Sequence, residues 1–381
     1  MRDPREVLAA AARSGNGRTE LQPGLWLVTD PDTTEQLLAH RAAHTVRAAQ
    51  RSAVTDWGAD GLAAWLAARR AMRPALAPAR VAGFTPVITS HAERITAGWQ
   101  SPGSIDVLRE AVRLVSTVNV HHLLGEPSPR LSALVERELT AAEQAGGVFP
   151  LRRRRLLRAQ HATHTAIQRH VRADTARAGL LAVLADHGLS ERVVTLALRN
   201  MLLSSHHVPA AALAWVFHEL STRPELQRRA HAEAAAHQDF RDLRLCRDIV
   251  RETLRLHPPV WQLQRQLAAP VVGFASGTTV LFSPYLNHRD PGAHAQPQRF
   301  HPDRWPANPH PAPGSYFPFA LGPRFCPGSQ LALVELTVIL AAVLRTHRLA
   351  PHRSPTPARG VLHAPRGLRL RVSPRQRRDQ G

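Results

Sequence analysis

The chain has 381 residues, of which 44% are hydrophobic, so it is long and apolar enough to bury a large core. Its formal net charge is +20, and all 49 of its basic side chains are arginines. The two cysteines, Cys246 and Cys326, lie far apart and form no C-x-x-C pair. This spacing argues against a disulfide-rich fold and a structural zinc site, and a reducing intracellular setting is the simpler interpretation.

The arginine excess has two explanations that the sequence leaves open. A GC-rich coding sequence favours arginine codons, and a basic face could also attract an acidic partner. The run LRRRRLLR at 151–158 suggests nucleic acid, but aromatic residues are 5% of the chain and do not interleave with the arginines. We therefore predict a solvated helix face and no nucleic-acid binding.

Neither end of the chain predicts membrane insertion. The first 20 residues carry charges throughout and have no apolar core of the kind found in secretory signals. The apolar run LALVELTVILAAVL at 331–344 contains Glu335 and is about one buried helix long, too short to span a bilayer. We expect no membrane span and a cytoplasmic protein.

Helical periodicity dominates the chain, because apolar residues recur at intervals of three and four. The predicted helices cover 60–77, 130–145, 176–188, 191–203, 210–221, 222–237 and 246–256. Strand signals are confined to 24–30, 270–283 and 367–373, and the proline-rich stretch 290–318 predicts irregular structure. We predict a mainly α fold with small β-sheets (α+β), forming a single large domain over residues 1–381.

A proline interrupts the apolar stretch LLSSHHVPAAALAW at 202–215. Pro209 cannot donate a hydrogen bond to the carbonyl of Ser205, so that carbonyl is left free. We expect the helix to kink or widen there.

The segment PFALGPRFCPGSQ contains the candidate cofactor-binding residues. Cys326 follows a loop and precedes an apolar helix, whose N-terminus favours a thiolate. Gly322 and Gly328 let the backbone approach something flat, Phe319 can pack against it, and Arg324 suits a carboxylate. A soft thiolate ligand with carboxylates nearby points to haem held by cysteine.

The motif F-x-x-G-x-R-x-C-x-G, formed by these five residues, resembles the haem-binding loop of the cytochrome P450 family. The order and spacing of further motifs agree from about residue 20 to 373. The resemblance implies a P450-like fold, heme b (iron protoporphyrin IX) as the cofactor, and Cys326 as the metal ligand.

Two further segments match the family. ETLR resembles its E-x-x-R helix, where Glu252 and Arg255 lie one turn apart and can pair. QPQRFHPDRW resembles its P-E-R-F segment, with Arg299 as the third member of the Glu–Arg–Arg network. A buried network of this kind would fix the geometry of the loop that carries Cys326.

Two segments are expected to contact the haem propionates. WLAAR resembles the W-x-x-x-R helix of the family, which assigns this role to Trp65 and Arg69. Arg265 follows LHPP at a position where the family often has another propionate-binding arginine.

The distal helix departs from the family pattern A-G-x-(E/D)-T-T. The alignment puts Ser204 and Ser205 at the Ala and Gly positions, His207 at the acid and Val208 at the threonine that helps deliver protons. Val208 has no hydroxyl group, so Ser204, Ser205, His207 or a hydroxyl of the substrate would have to replace that function.

Three interpretations of His206 and His207 stay open. One histidine could relay protons, because the pKa of histidine lies near neutrality. Both could be structural, or one could be a distal ligand of the iron, which the helical geometry disfavours.

The resemblance implies a P450-type monooxygenase that oxidises a small or medium apolar molecule in specialised metabolism. We expect a monomer that receives electrons from a separate ferredoxin and ferredoxin reductase. The alternatives are a peroxide shunt or non-oxygenating rearrangement, and a haem-binding partner protein with little catalysis. The family also lines its pocket with the segment before Trp65 and the 140–165 region. The candidate pocket residues are Leu203, Val208, Val260, Trp261 and Leu263.

Overall fold

The structure is a computed structural model that describes residues 3–13, 15–40, 61–99, 103–144, 150–173, 179–356 and 362–375. Its helices are α1 Pro4–Ala12, α2 Pro31–Ala39, α3 Gly61–Met72, α4 Pro78–Gly83, α5 Thr85–Thr96, α6 Val107–Leu124, α7 Pro129–Gln144, α8 Pro150–Arg172, α9 Gly179–Ala185, α10 Glu191–Ser221, α11 Pro224–Ala236, α12 Arg244–Leu256, α13 Pro284–Asn287, α14 Arg304–Ala307 and α15 Ser329–Thr346. Its strands are β1 Arg18–Gln22, β2 Leu25–Val28, β3 Gly103–Asp106, β4 Leu263–Gln266, β5 Thr279–Phe282, β6 His347–Arg353 and β7 Arg369–Pro374.

Two small sheets flank the helices. The first has the strand order β1-β2-β5-β4, with β2 parallel to β5 and the other pairs antiparallel. The second has the order β3-β7-β6 and is antiparallel. The prediction of a mainly helical fold with small sheets is confirmed. Strands β1, β3, β4 and β6 were missed because they are short, and the only partner of β3 among the described strands is β7, which lies far along the chain.

Helix α10 is the longest in the described chain, with 31 residues and a length of about 46 Å. It packs against α3, α6, α8, α12 and α15, so most of its side chains are buried. Ser190 caps its N-terminus by accepting a hydrogen bond from the Val193 N–H. The two predicted helices 191–203 and 210–221 are therefore one helix that continues through Pro209.

Helix α15 begins directly after the Cys326 loop and is the most apolar element of the fold. Its 18 residues are long and apolar enough to cross a membrane, contrary to the length expected from the sequence. However, 72% of the helix is buried inside the fold, against α5, α11 and α12. This burial identifies α15 as a core helix.

An arginine with no exposure to solvent anchors the irregular segment before Cys326. Arg255 and Glu252 both lie on α12 with fully buried side chains, and two arginine N–H groups donate to the two carboxylate oxygens at 2.9 Å. The other three arginine N–H groups donate to the backbone carbonyls of His288, Pro297 and Arg299 at 2.7–3.0 Å. All five donors are satisfied, which removes most of the cost of burying the charge.

The third member of the network differs from the prediction. Arg304 Nε donates to Glu252 Oε1 at 3.1 Å. The Arg299 side chain is exposed and bonds Gln296 Oε1, so only its backbone carbonyl belongs to the network. The prediction that Arg299 fills this position was therefore wrong. The sequence contains two similar runs, PQRF and PDRW, and the second is anchored by Trp305, whose side chain is 2% exposed.

A buried histidine lies in the middle of α10. His206 is 0% exposed, and neither ring nitrogen has a hydrogen-bond partner of normal geometry among the described residues. Burial lowers the pKa of His206 to about 4, and the Leu202 carbonyl opposes this only in part. The imidazole is therefore neutral in the folded protein at pH 7.

Alanine substitutions should distinguish the contributions of Arg304 and Arg299 to stability. Arg304→Ala leaves a hydrogen-bond acceptor of the buried Glu252 carboxylate without its charged donor, so we expect the free energy of unfolding to fall by about 2 kcal/mol. Arg299→Ala is the matched control and should change it by less than about 0.5 kcal/mol. Urea denaturation of both variants measures the difference, and equal losses would contradict the assignment.

The neutral state of His206 predicts sensitivity to acid. Between pH 6.5 and 4 the unfolded chain binds a proton at this side chain and the folded chain does not. The stability contributed by this group is therefore complete above pH 6.5 and falls by about 1.4 kcal/mol per pH unit as the pH drops below it. His206→Leu should flatten the curve of unfolding free energy against pH in this window. His161→Leu, at an exposed position on α8, should leave the curve as steep as in the native chain.

Candidate functional site

A cavity of about 430 Å³ lies between α3, α10, α15 and the loop before α15. This volume is in the range typical of sites for small molecules. The predicted site residues that line it are Trp65, Arg69, Ser204, Ser205, Val208, Val260, Leu263, Arg265, Phe319, Arg324, Cys326 and Gly328.

Four predicted residues do not line the cavity. Leu203 and Trp261 are packed in the protein interior with exposures of 4% and 5%, so the prediction that they line a pocket was wrong. Gly322 and His207 also lie outside the lining. Most of the segment before Trp65, at 41–60, lies outside the described residues, as do 145–149 of the 140–165 region.

The Cys326 loop is closed by its own backbone. The Cys326 N–H donates to the Phe319 carbonyl at 2.9 Å, and Ala320 and Gly322 between them have positive φ angles of 61° and 66°. A Cβ at Gly322 would come within 2.4 Å of the Leu38 carbonyl oxygen on α2. Gly322 therefore allows the loop to pack against α2, which is a different role from the predicted approach to a cofactor.

The environment of Cys326 acts on its thiol in two directions. Burial raises the pKa of the Cys326 thiol, whereas the backbone N–H of Gly328 and the positive charge of Arg69 lower it. These two groups favour the thiolate, the form in which cysteine binds metals. The Cys326 side chain is half-buried at the cavity, and two nearby groups favour its metal-binding form.

Three arginines converge on the cavity. The Arg265 side chain is 7% exposed, and its Nε has no hydrogen-bond partner among the described residues. Burial and the charge of Arg324 together lower the pKa of Arg265 to about 10. Arg69 donates to the Phe325 carbonyl at 2.6 Å and lies over the Trp65 ring at 4.6 Å. Of the described acidic residues, Glu335 alone lines this cavity.

These residues fit haem b. A cysteine and three arginines face one largely apolar cavity, and the arginines repel one another because no carboxylate of the described chain pairs with Arg265 or Arg69 there. A flat apolar group with two carboxylates would complete both features. The strongest evidence for such an anion is Arg265 Nε, which is buried without a hydrogen-bond partner in the described chain.

The carbonyl that Pro209 leaves without a helical hydrogen bond has a specific partner. The Ser205 carbonyl, which Pro209 cannot bond, accepts a hydrogen bond from Asn119 Nδ2 on α6 at 3.0 Å. Asn119 is 2% exposed, and both Ser205 and Pro209 line the cavity. A side chain from a neighbouring helix therefore replaces the missing backbone donor and allows α10 to continue.

Asn119 also holds a buried acid. Its Nδ2 lies 3.0 and 3.2 Å from the two carboxyl oxygens of Glu335 on α15, which is 1% exposed. Burial raises the pKa of Glu335 well above its usual range, and the hydrogen bond from Asn119 opposes this shift. Sequence reasoning noticed Glu335 only as a polar residue in an apolar run, and it missed Asn119. The available signal was a single amide in the apolar helix α6.

The two distal histidines are not placed to reach the cavity. His206 is completely buried, His207 is half-buried, and neither contributes to the lining. This leaves Ser204 and Ser205 as the hydroxyl groups of α10 that face the cavity.

The chain resembles two bacterial enzymes. It is 33% identical over 182 residues to cyclooctat-9-en-7-ol 5-monooxygenase of Streptomyces melanosporofaciens, a match that covers 44% of this chain and 39% of that protein. It is 27% identical to cyclooctatin synthase of the same organism, over 92% of this chain and 86% of that protein. The chain thus matches about two fifths of the length of the first relative and most of the second.

Structure and sequence give the same family. A six-coordinated cytochrome P450 from Thermus thermophilus superposes with a TM-score of 0.80 at 27% identity, covering 98% of both chains. The family model for cytochrome P450 matches residues 152–370, more than half of the chain. This matched region contains the distal helix, the Glu252–Arg255 pair and the Cys326 loop, and on this evidence the chain belongs to the cytochrome P450 family.

Proposed function

We propose that this P450 is a haem-thiolate monooxygenase that oxidises a small or medium apolar molecule in specialised metabolism. The observation that carries the proposal is the convergence of Cys326 with Arg69, Arg265 and Arg324 on one cavity whose remaining wall is largely apolar. In this proposal Cys326 binds the iron, and the three arginines hold the carboxylates of the haem. The haem supplies the oxidising chemistry when it is bound.

The apolar wall supports the proposed substrate class. Met201, Val208, Ala212, Val260 and Leu263 face the cavity from α10 and the segment before β4. Such a surface favours hydrocarbon over charged molecules, because burying a charge there would carry a large desolvation cost. The two relatives described above are named for a cyclic alkenol and for cyclooctatin, and we propose a cyclic terpenoid-like molecule for this chain as well.

Proton delivery in the proposed mechanism depends on serines. Ser204 Oγ donates to the Asn200 carbonyl at 2.7 Å, and Ser205 Oγ lies 3.4 Å from the Leu202 carbonyl. Each hydroxyl keeps lone pairs that can accept a hydrogen bond from water in the cavity. Val208 offers no such group, so we propose that water held by Ser204 and Ser205 replaces the usual acid and threonine.

The proposed electron donor is a separate ferredoxin, reduced by its own reductase in the cytoplasm. Arg70 and Arg73 are exposed on and after α3, the helix whose Arg69 bonds the Phe325 carbonyl of the Cys326 loop, and Phe325 is 44% exposed. A basic surface with an apolar centre suits an acidic protein partner.

A second candidate function is oxidation driven by peroxide. Val208 and Pro209 occupy the positions of the two threonines in the family pattern, and His207, at the acid position, does not line the cavity. An enzyme supplied with hydrogen peroxide would not need these groups to protonate oxygen. Product formation with peroxide, compared with product formation with ferredoxin, reductase and NADPH, distinguishes the two functions.

The two cysteines provide a test of the haem ligand. Cys326→Ala should abolish the red-shifted Soret band that the reduced, carbon monoxide-treated protein shows when a thiolate binds the iron. Cys246→Ala is the matched control, because Cys246 is buried elsewhere in the fold, against α11, and should leave the band unchanged. Retention of the band in Cys326→Ala would refute the assignment of the site.

Restoring a hydroxyl on α10 tests the proposed proton delivery. Val208→Thr keeps the size of the side chain and adds one oxygen, so we expect several-fold more product per NADPH consumed. Val208→Ala removes two methyl groups without adding a hydroxyl and should not raise this ratio. If both variants behave alike, the absence of a hydroxyl at position 208 does not limit the native enzyme.

A further inference from the structure

One face of α10 forms a wall of the cavity over four turns. Ala197, Asn200, Ser204 and Val208 follow one another at intervals of three and four residues, the spacing that puts side chains on one side of a helix. Asn200 lies two turns from Val208, about 12 Å along the helix axis. The wall therefore carries the Asn200 amide one turn from the Ser204 hydroxyl and two turns from Val208.

The Asn200 amide is unused within the described part of the chain. Its backbone carbonyl accepts the Ser204 hydroxyl at 2.7 Å, but its side chain makes no hydrogen bond to any residue the structure describes. The NH₂ group of the other amide of the cavity, Asn119, already donates to Ser205, Val115 and Glu335. Asn200 is half-buried and accessible from the cavity.

The chemistry of this amide matches a hydroxyl group. Its oxygen can accept a hydrogen bond from a hydroxyl while its NH₂ donates to the same or a second oxygen. One turn further along, Ser204 Oγ has lone pairs free to accept, because its own hydrogen is already directed at the helix backbone. Neither side chain is charged, so the pair suits an alcohol better than a carboxylate or an amine.

We infer that Asn200, assisted by Ser204, is a specificity residue that binds a hydroxyl group already present on the substrate. The inference rests on the proposed monooxygenase function and narrows its substrate class from apolar molecules to apolar alcohols. The hydroxyl is held at the Asn200 end of the α10 wall, and the carbon to be oxidised lies toward Val208. The reaction that supplies this substrate must therefore already have placed an oxygen on the hydrocarbon.

The test is binding of matched alcohol and hydrocarbon pairs. Haem-loaded full-length protein is titrated with cedrol and cedrane, and with cyclooctat-9-en-7-ol and cyclooctat-9-ene, while the Soret shift caused by ligand entry is recorded. We expect the native protein to bind the alcohol of at least one pair about five- to tenfold more tightly than its hydrocarbon, the effect of one neutral hydrogen bond.

Two variants on the same wall locate the source of the preference. Asn200→Leu should reduce the preference to about one by weakening alcohol binding and leaving hydrocarbon binding unchanged. Met201→Leu, which also lines the cavity, is the matched control and should change both ligands equally. The carbon monoxide spectrum and the circular dichroism of both variants should equal those of the native protein, which separates a binding effect from misfolding.

Each contrary result has a distinct meaning. If no compound shifts the spectrum of the native protein, the apolar substrate class is wrong and the inference falls with it. If alcohol and hydrocarbon bind equally well, the proposed function stands and the role of Asn200 is refuted. A preference that persists in Asn200→Leu also refutes that role.

Discussion

The structure depends on one buried charge. Arg255 is 0% exposed and directs all five of its N–H groups at Glu252 and at three backbone carbonyls between His288 and Arg299. A charge in this position is tolerable only while every donor is satisfied, so the irregular segment after α13 must adopt the conformation that offers those carbonyls. Arg304 then attaches the end of that segment to the same carboxylate. The Cys326 loop begins shortly afterwards and starts from a fixed point.

The arginines around Glu252 and the arginines at the cavity lie in opposite electrostatic environments. Around Glu252 both arginines are paired with a carboxylate of the protein itself. At the cavity Arg265 is almost as deeply buried, yet its Nε has no partner in the described chain, and the positive charge of Arg324 acts on it. The desolvation cost of burying Arg265 is not offset by hydrogen bonds within the described chain, which indicates that a ligand provides them. The contrast between these two environments distinguishes the structural network from the ligand site.

Local motifs could be read from the sequence, and long-range partnerships could not. The spacing around Cys326 and the E-x-x-R pair are encoded within a few residues, and the structure brings their members together. Arg299 and Arg304 lie in nearly identical runs, so the choice between them depends on the buried packing of Trp305, which no pattern records. A long-range contact also explains why α10 was predicted as two helices. Local rules predict that Pro209 ends a helix, but α10 continues because an amide from another helix bonds the carbonyl that Pro209 leaves free.

Asn119 and Pro209 form a single unit although 86 residues separate the amide from the carbonyl it serves. Any residue other than proline at position 209 would bring back a backbone N–H that competes for the Ser205 oxygen. The buried Asn119 amide would then lose one of its acceptors, which is unfavourable. Substitution of either Asn119 or Pro209 alone is therefore expected to be unfavourable. An inherited change at one would have to be accompanied by a compensating change at the other, and homologues that lack the proline are expected to differ at the amide as well.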